Sequence, residues 1–258
     1  MSWITKRVAR LVHKAIGSNR LISDGEKIVV GVSGGADSLC LLHLLESLNQ
    51  AGRRGWDLRA AHVDPGFEGW NSARVAKACR AIGVECEVLR TDVPTSGKRN
   101  GDDSCYTCSR ERRKALFSFC SKTGSRKLAL AHNLDDVNET FLMNLLYTSS
   151  ARTILPAQPL FEGRLVIIRP LYYVDKTLVR RYLKDADLRP VRNACPHERS
   201  SSRRVVRRFL EHLYAGDQRI RTNLFAGLHN IKPEYLPPPK GRSQNAEVRI
   251  VKSEVTEA

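Results

Sequence analysis

The chain has 258 residues, with 43 lysines and arginines against 27 aspartates and glutamates, for a formal net charge of +16. At 41% hydrophobic residues it can bury a core, which excludes wholesale disorder, and its length suits one large domain or one with a small appendage. No apolar run nears the ~18 residues of a membrane span, and the basic amphipathic start lacks an export signal's apolar stretch, so a cytoplasmic protein with no membrane partner is expected.

Residues 1–24 read as an N-terminal amphipathic helix, with Ile4, Val8, Leu11, Val12 and Ile16 at helical spacing and basic residues opposite. Lys27–Val32 is a short buried strand. It runs into the glycine loop Ser33-Gly-Gly-Ala-Asp-Ser38 and then a helix over Leu39–Leu45. Strands are predicted at 58–63, 84–90, 127–131 and 165–168, and helices at 72–82, 105–120 and 135–146. Polar residues 92–104 form a loop before the helix that starts at Cys105. This alternation predicts an α/β fold: a doubly wound parallel sheet over residues 25–171, covered on both faces. Residues 172–236 form a basic helical C-terminal region, with helices at about 175–186, 203–214 and 217–230 and a basic loop at 188–202. Residues 237–258 read as a mobile polar tail, in which Val248–Val251 could add an edge strand.

The positive charge is concentrated. Residues 98–127 carry a net +6 and residues 176–221 a net +8, so 76 residues hold +14 of the +16. Such segregation suits a polyanion-binding face, against the alternative of a solvated arginine surface. The seven cysteines are odd in number and no export signal is present, which argues against a disulfide framework. Cys40, Cys79, Cys86 and Cys120 sit among apolar or helix-forming neighbours and read as small core residues. Cys105, Cys108 and Cys195 lie in polar, basic surroundings. The Cys105-x-x-Cys108 spacing allows a shared metal, a redox pair or two unrelated thiols; Arg110, Arg112 and Arg113 favour thiolates.

A strand giving way to a helix N-terminus is a phosphate site, because backbone N–H groups and the helix dipole both favour anions. Gly34 and Gly35 permit close approach, Ser33 and Ser38 add hydroxyls, and Asp37 can hold a Mg²⁺ bridging phosphate oxygens. Neither the kinase-type loop nor the dinucleotide glycine motif is present. His62-Val-Asp-Pro-Gly-Phe67 ends the second strand, where Asp64 could bind or simply cap a turn. Asp135 and Asp136 fall at a helix N-terminus after His132, where they could cap the helix or, beside a nucleotide, handle Mg²⁺ or a proton.

Ser33–Ser38 with His62–Phe67 resembles the signature of the PP-loop pyrophosphatase superfamily. Adding Cys105 with Cys108, His132-Asn-Leu-Asp-Asp136, Ile168-Arg-Pro-Leu171, the Cys195 tract and Arg221–Pro233, the chain resembles the tRNA-cytidine 2-sulfurtransferase family over residues 25–236. The resemblance implies ATP and Mg²⁺ as cofactors. It implies ATP cleavage to AMP and pyrophosphate, adenylation of the C2 oxygen of a tRNA cytidine, and replacement of that oxygen by sulfur. By position, Cys105, Cys108 and Cys195 would hold a [4Fe–4S] cluster, whose fourth iron stays open for sulfide. Family members often carry a second C-x-x-C near the third ligand. Here the tract is Arg192-Asn-Ala-Cys-Pro-His197, so His197 leaves a Cys₃His zinc site as an alternative. On this resemblance Ser33, Gly34, Gly35, Asp37, Ser38, His62 and Asp64 bind the nucleotide, and Asp37, Asp135 and Asp136 are the catalytic candidates. The implied partners are tRNA and a sulfur donor such as a cysteine desulfurase or free sulfide, with a homodimer as the implied assembly. A uridine-thiolating sister enzyme is the runner-up, weakened by missing terminal zinc-finger cysteine pairs. Lysidine synthase, which needs no such cysteines, and a non-catalytic ATP- and tRNA-binding metal protein stand further back.

Overall fold

The computed structural model describes residues 2–91, 101–191, 193 and 202–237, with backbone alone for 101–105. Most of the expected loop at 92–104, the 194–201 part of the basic loop with Cys195 and His197, and the tail beyond Pro237 lie outside the described residues.

Helix α1 (Trp3–Ser18) precedes β1 (Lys27–Gly31), α2 (Ala36–Gly52), β2 (Asp57–Asp64), α3 (Ser72–Ile82) and β3 (Cys86–Arg90). Then follow α4 (Gly101–Thr123), β4 (Lys127–Ala129), α5 (Leu134–Thr148), β5 (Ala157–Leu160) and β6 (Leu165–Ile168). Helices α6 (Lys176–Asp185), α7 (Ser202–Gly216) and α8 (Arg219–Gly227) and a 3₁₀ turn at Pro233–Tyr235 complete the described chain. The sequence supplies the stops. Ser2, Asn71 and Asp175 cap α1, α3 and α6 by accepting from Thr5, Arg74 and Leu178 N–H groups, and Gly83 ends α3 at φ 99°.

The six strands lie in the order β3-β2-β1-β4-β6-β5. All neighbours are parallel except β5 and β6, which pair antiparallel with Ala157 opposite Ile168. The five strands expected from the sequence are thus all parallel, and the antiparallel β5 is an addition at the edge. Ala157-Gln-Pro-Leu160 carries a proline, which an edge strand tolerates because one row of its N–H groups has no ladder partner.

Alternation along the strands divides the core. Ile28, Val30, Ala60, Ala129 and Ile168 pack with α1, α2, α3 and α6, while Val29, Ala61, Leu128 and Ile167 face Leu116, Phe119 and Cys120 of α4. Val8, Val12 and Ala15 of α1 share the first core with Leu178, Val179 and Tyr182 of α6. Ser2 and Thr5 also hydrogen-bond to Asp185. Both α1 and α6 therefore pack as part of the α/β body, so residues 1–24 and the first helix after residue 172 are not separate units. Helices α7 and α8 pack instead on α5, with Val206, Leu210 and Tyr214 against Leu142 and Met143.

A cleft at the switch point of the sheet

From β1 the chain winds outward through β2 to β3, then returns to the other side of β1 as β4. Such a reversal opens a crevice beyond the carboxyl ends of the two central strands. Here it is a cleft of about 290 Å³. Ser33, Asp37 and Ser38 line one wall, Ala131 and His132 another, and Ser109, Arg112 and Arg113 of α4 a third.

The glycine loop is held tightly. Gly34 sits at φ 86°, and a Cβ there would lie 2.7 Å from Val75 Cγ2 and 3.3 Å from Val191 Cβ. Val191 N–H donates to Gly34 O at 2.9 Å. Only glycine fits this passage between α3 and the segment leading towards Cys195. Gly35 is the N-cap of α2 and supplies no side-chain cap, so the first N–H groups of this 17-residue helix are left for an anion. Ser33 Oγ accepts from Gly35 N–H at 3.3 Å and lies 3.2 Å from Ser38 Oγ, which donates to Gly35 O at 2.9 Å.

Across the cleft, Asn133 ties the two acidic segments together. Its amide donates to Asp37 Oδ1 at 3.0 Å, and its Oδ1 accepts from Asp136 N–H at 3.1 Å. Asp136 Oδ2 returns a bond from Asn133 N–H at 3.1 Å, completing a capping box on α5. Burial and the neighbouring Asp136 carboxylate push Asp37 from 3.8 up to about 6, against the pull of Lys176. Burial pushes Asp136 upward too, but Lys176 and the Asn133 N–H outweigh it and hold it below the usual carboxylate range. Two carboxylates held together through Asn133, one of them destabilised by burial and by the other's charge, make a site that gains from a cation.

The pair Asp135 and Asp136 is split by the helix. Asp135 is buried and turned away: its Oδ2 accepts from Lys176 N–H at 2.8 Å, and its Oδ1 lies 3.0 Å from Arg221 Nε. It joins α5 to α6 and α8. His62 is fully buried with both ring nitrogens occupied. Nδ1 meets Val32 O at 2.7 Å, and Nε2 accepts from Trp70 Nε1–H at 3.0 Å. It shapes the strand end beneath the loop and has no ring nitrogen left for a nucleotide. Asp64 caps a turn, accepting from Gly66 N–H at 2.9 Å and Ser72 Oγ at 2.7 Å. Both carboxylate oxygens of Asp64 thus take part in holding the 64–72 connection.

Cys108 is half-buried on α4, immediately before Ser109, and Arg112 follows one turn later on the same face. Cys105 lies on the same helix, with only its backbone described. The Cys195 tract departs from a residue pinned at the cleft: Asn193 Nδ2 donates to Ser33 O at 3.4 Å, and Asn193 Oδ1 accepts from Asn71 N–H at 2.9 Å. Among the described residues no three His, Cys, Asp or Glu form a metal-holding group. Two of the three expected sulfurs fall outside that search.

Three groups were not visible in the sequence. Glu139, only 2% exposed, meets Lys176 Nζ and Arg207 Nε at 2.9 Å each and Arg203 Nε at 3.4 Å. Lys176 also reaches Asp136 Oδ1 at 3.2 Å, so α6 and α7 are latched to the acidic end of α5. Arg169, 4% exposed, donates from Nε to His132 Nδ1 at 3.2 Å. Burial and Arg169 together lower His132 to about 4, so its ring is neutral.

Residues 4–213 match the PP-loop domain family. The chain is 35% identical over 236 residues to the tRNA-cytidine(32) 2-sulfurtransferase of Syntrophotalea carbinolica, covering 90% of this chain and 91% of that one. It is 31% identical over 242 residues to the tRNA-cytidine(32) 2-sulfurtransferase of Azotobacter vinelandii, covering 92% and 88%. Its fold is similar to that of the U34-tRNA thiolase NcsA from Methanococcus maripaludis with its [4Fe-4S] cluster, at a TM-score of 0.69 and 22% identity over 91% of this chain and 80% of that one. A PP-loop match over most of the chain, together with relatives aligned nearly end to end, places this protein in the PP-loop family and, within it, among the tRNA-cytidine(32) 2-sulfurtransferases.

Proposed function

We propose that the chain uses ATP to convert cytidine 32 of tRNA to 2-thiocytidine, releasing AMP and pyrophosphate. The supporting observation is that one cleft at the β1/β4 switch point is shared by the glycine loop with Asp37, by His132 and by the arginines of the cysteine-bearing helix, while Asn133 ties Asp136 to Asp37 behind it. The β and γ phosphates of ATP rest on Ser33–Ser38 and the N-terminus of α2. Asp37 and Asp136 are the residues that would hold Mg²⁺, an ion that takes only one or two carboxylates from a protein and would neutralise charge on the phosphates. The two basic segments, 98–127 and 176–221, form the face that meets tRNA phosphates, and the target base leaves its stack to enter the cleft.

The C2 oxygen of the cytosine attacks the α phosphate, and pyrophosphate departs along the α2 dipole. Arg112 and Arg113 face the charge that develops there. Adenylation makes AMP the leaving group in place of a very poor oxygen. A [4Fe–4S] cluster on Cys105, Cys108 and Cys195 supplies, when bound, an open iron on which sulfide is presented to C2. Two features support that donor set: Cys108 adjoins a residue of the cleft wall, and the Asn193 tether starts the Cys195 tract at Ser33. Thiolates suit iron and sulfide better than oxygen ligands would. The sulfur comes from a cysteine desulfurase or free sulfide, and the enzyme works in the cytoplasm as a homodimer. No described helix is long and apolar enough to cross a membrane.

Anaerobic purification followed by iron, sulfide and zinc analysis, and then by nucleoside mass spectrometry of tRNA treated with ATP and sulfide, tests this reading. About four irons per chain and ATP-dependent 2-thiocytidine are expected. One tight zinc without iron, or a thiolated uridine, would contradict it.

A further inference from the structure

Two side chains with no part in the chemistry above meet inside the molecule, His132 after β4 and Arg169 after β6. Arg169 is locked on all three nitrogens. Its Nη1 donates to Leu155 O at 2.6 Å, its Nη2 to Gln158 Oε1 at 3.0 Å, and its Nε to His132 Nδ1 at 3.2 Å. A guanidinium has only donors, so His132 Nδ1 must be the acceptor and carry no proton. The ring's one proton is then on Nε2. The same ring lines the cleft, and its other charged neighbours are Asp136 on α5 and Arg203 on α7.

We infer that Arg169 fixes His132 as a neutral Nε2–H donor and that this N–H binds the α phosphate of the nucleotide. The site is the one proposed for ATP, and the inference rests on that reading. The phosphate assignment follows from the two walls. Ser33–Ser38 and the α2 N-terminus after β1 take the pyrophosphate portion, and the neighbouring strand end after β4 faces what remains, the α phosphate and its reacting oxygen. A neutral donor suits this place. It stabilises negative charge that grows at phosphorus, and it does not form an ion pair that would tighten ATP binding in the ground state.

Nitrogen NMR of the full-length protein labelled in histidine reads the tautomer directly. A protonated Nε2 and a bare Nδ1 on His132 are expected; the opposite tautomer overturns the lock. His132→Leu removes the donor, while His132→Gln places an amide N–H near the Nε2 position. In tRNA-dependent pyrophosphate release, His132→Leu is expected to lower kcat about 100-fold with ATP affinity changed less than about threefold, and His132→Gln to recover at least a tenth of the wild-type rate. Unaltered kcat in His132→Leu, or no recovery in a folded His132→Gln, overturns the phosphate contact. Absence of pyrophosphate release by the wild-type protein would instead overturn the ATP reading, a failure distinct from either variant result.

Discussion

Asp37→Asn separates stability from activity at the centre of the site. Asp37 is held at about 6, raised from 3.8 by burial and by the facing Asp136. Between those two values the folded state binds more protons than the unfolded one, so folding free energy is lost as pH rises through the window. At about 1.4 kcal/mol per pH unit, the full penalty above pH 6 is about 3 kcal/mol, and at pH 5 about half of that. Asparagine is neutral and keeps an Oδ1 to accept from Asn133, whose bond to Asp37 Oδ1 is 3.0 Å. The variant, free of metal and nucleotide, is therefore expected to be more stable than wild type by about 3 kcal/mol at pH 8 and about 1.5 kcal/mol at pH 5. Urea denaturation at the two pH values measures both differences. Equal stability at pH 8, or a gain that does not change with pH, would refute the placement of Asp37 against Asp136. The same variant should lose thiolation, a trade-off expected where a strained acidic pair is kept for function.

Mg²⁺ affinity of the nucleotide-free protein should weaken as pH drops through about 6, because proton and metal compete for Asp37; Mg²⁺ titrations at pH 5 and pH 8 read this directly. Glu139→Gln leaves Lys176, Arg203 and Arg207 around a neutral group and is expected to cost about 3 kcal/mol, seen as a lowered denaturation midpoint. Gly34→Ala forces a Cβ to within 2.7 Å of Val75 at a positive φ, so weakened ATP binding with a stability loss of about 1–3 kcal/mol is expected by titration and melting. Affinity for tRNA should drop more than ~10-fold between ~50 and ~200 mM salt if phosphate contacts dominate, and a filter-binding series would show it.

Much of the central fold was legible because its signals are local. The strand, glycine loop and helix at 27–45 occupy contiguous residues, and the alternation of apolar positions along β1 and β2 gives two buried faces. The antiparallel β5 was not legible, since Pro159 reads as a loop residue and only pairing with Val166 makes it a strand. His62 and Asp64 carried the right residue types in the right place. What a linear motif does not display is the set of partners that Trp70, Ser72 and Gly66 supply to them. Asp135 and Asp136 look equivalent in sequence, but neighbours on a helix point about 100° apart, so one meets Asn133 and the other Arg221. Glu139 with Lys176, and His132 with Arg169, are each 37 residues apart, and only the Leu134–Val174 backbone bond at the starts of α5 and α6 and the pairing of β4 with β6 bring them together.

The charge asymmetry gains a location from the structure. The basic stretch around Cys108 supplies Arg112 and Arg113 to the cleft wall, and the one after Cys195 supplies Arg203 and Arg207 to the Glu139 latch. Part of the excess positive charge therefore builds the site and its supports. Arg221, also within the second stretch, is spent on Asp135.

The central claim is chemical and is tested most directly by mass spectrometry of tRNA nucleosides from a strain lacking the gene, complemented with wild-type protein or with Cys108→Ser. Restoration of 2-thiocytidine at position 32 by the wild-type protein alone, with the variant folded but inactive, is the expected result. Unchanged 2-thiocytidine in the deletion strain, or full restoration by Cys108→Ser, would contradict the account.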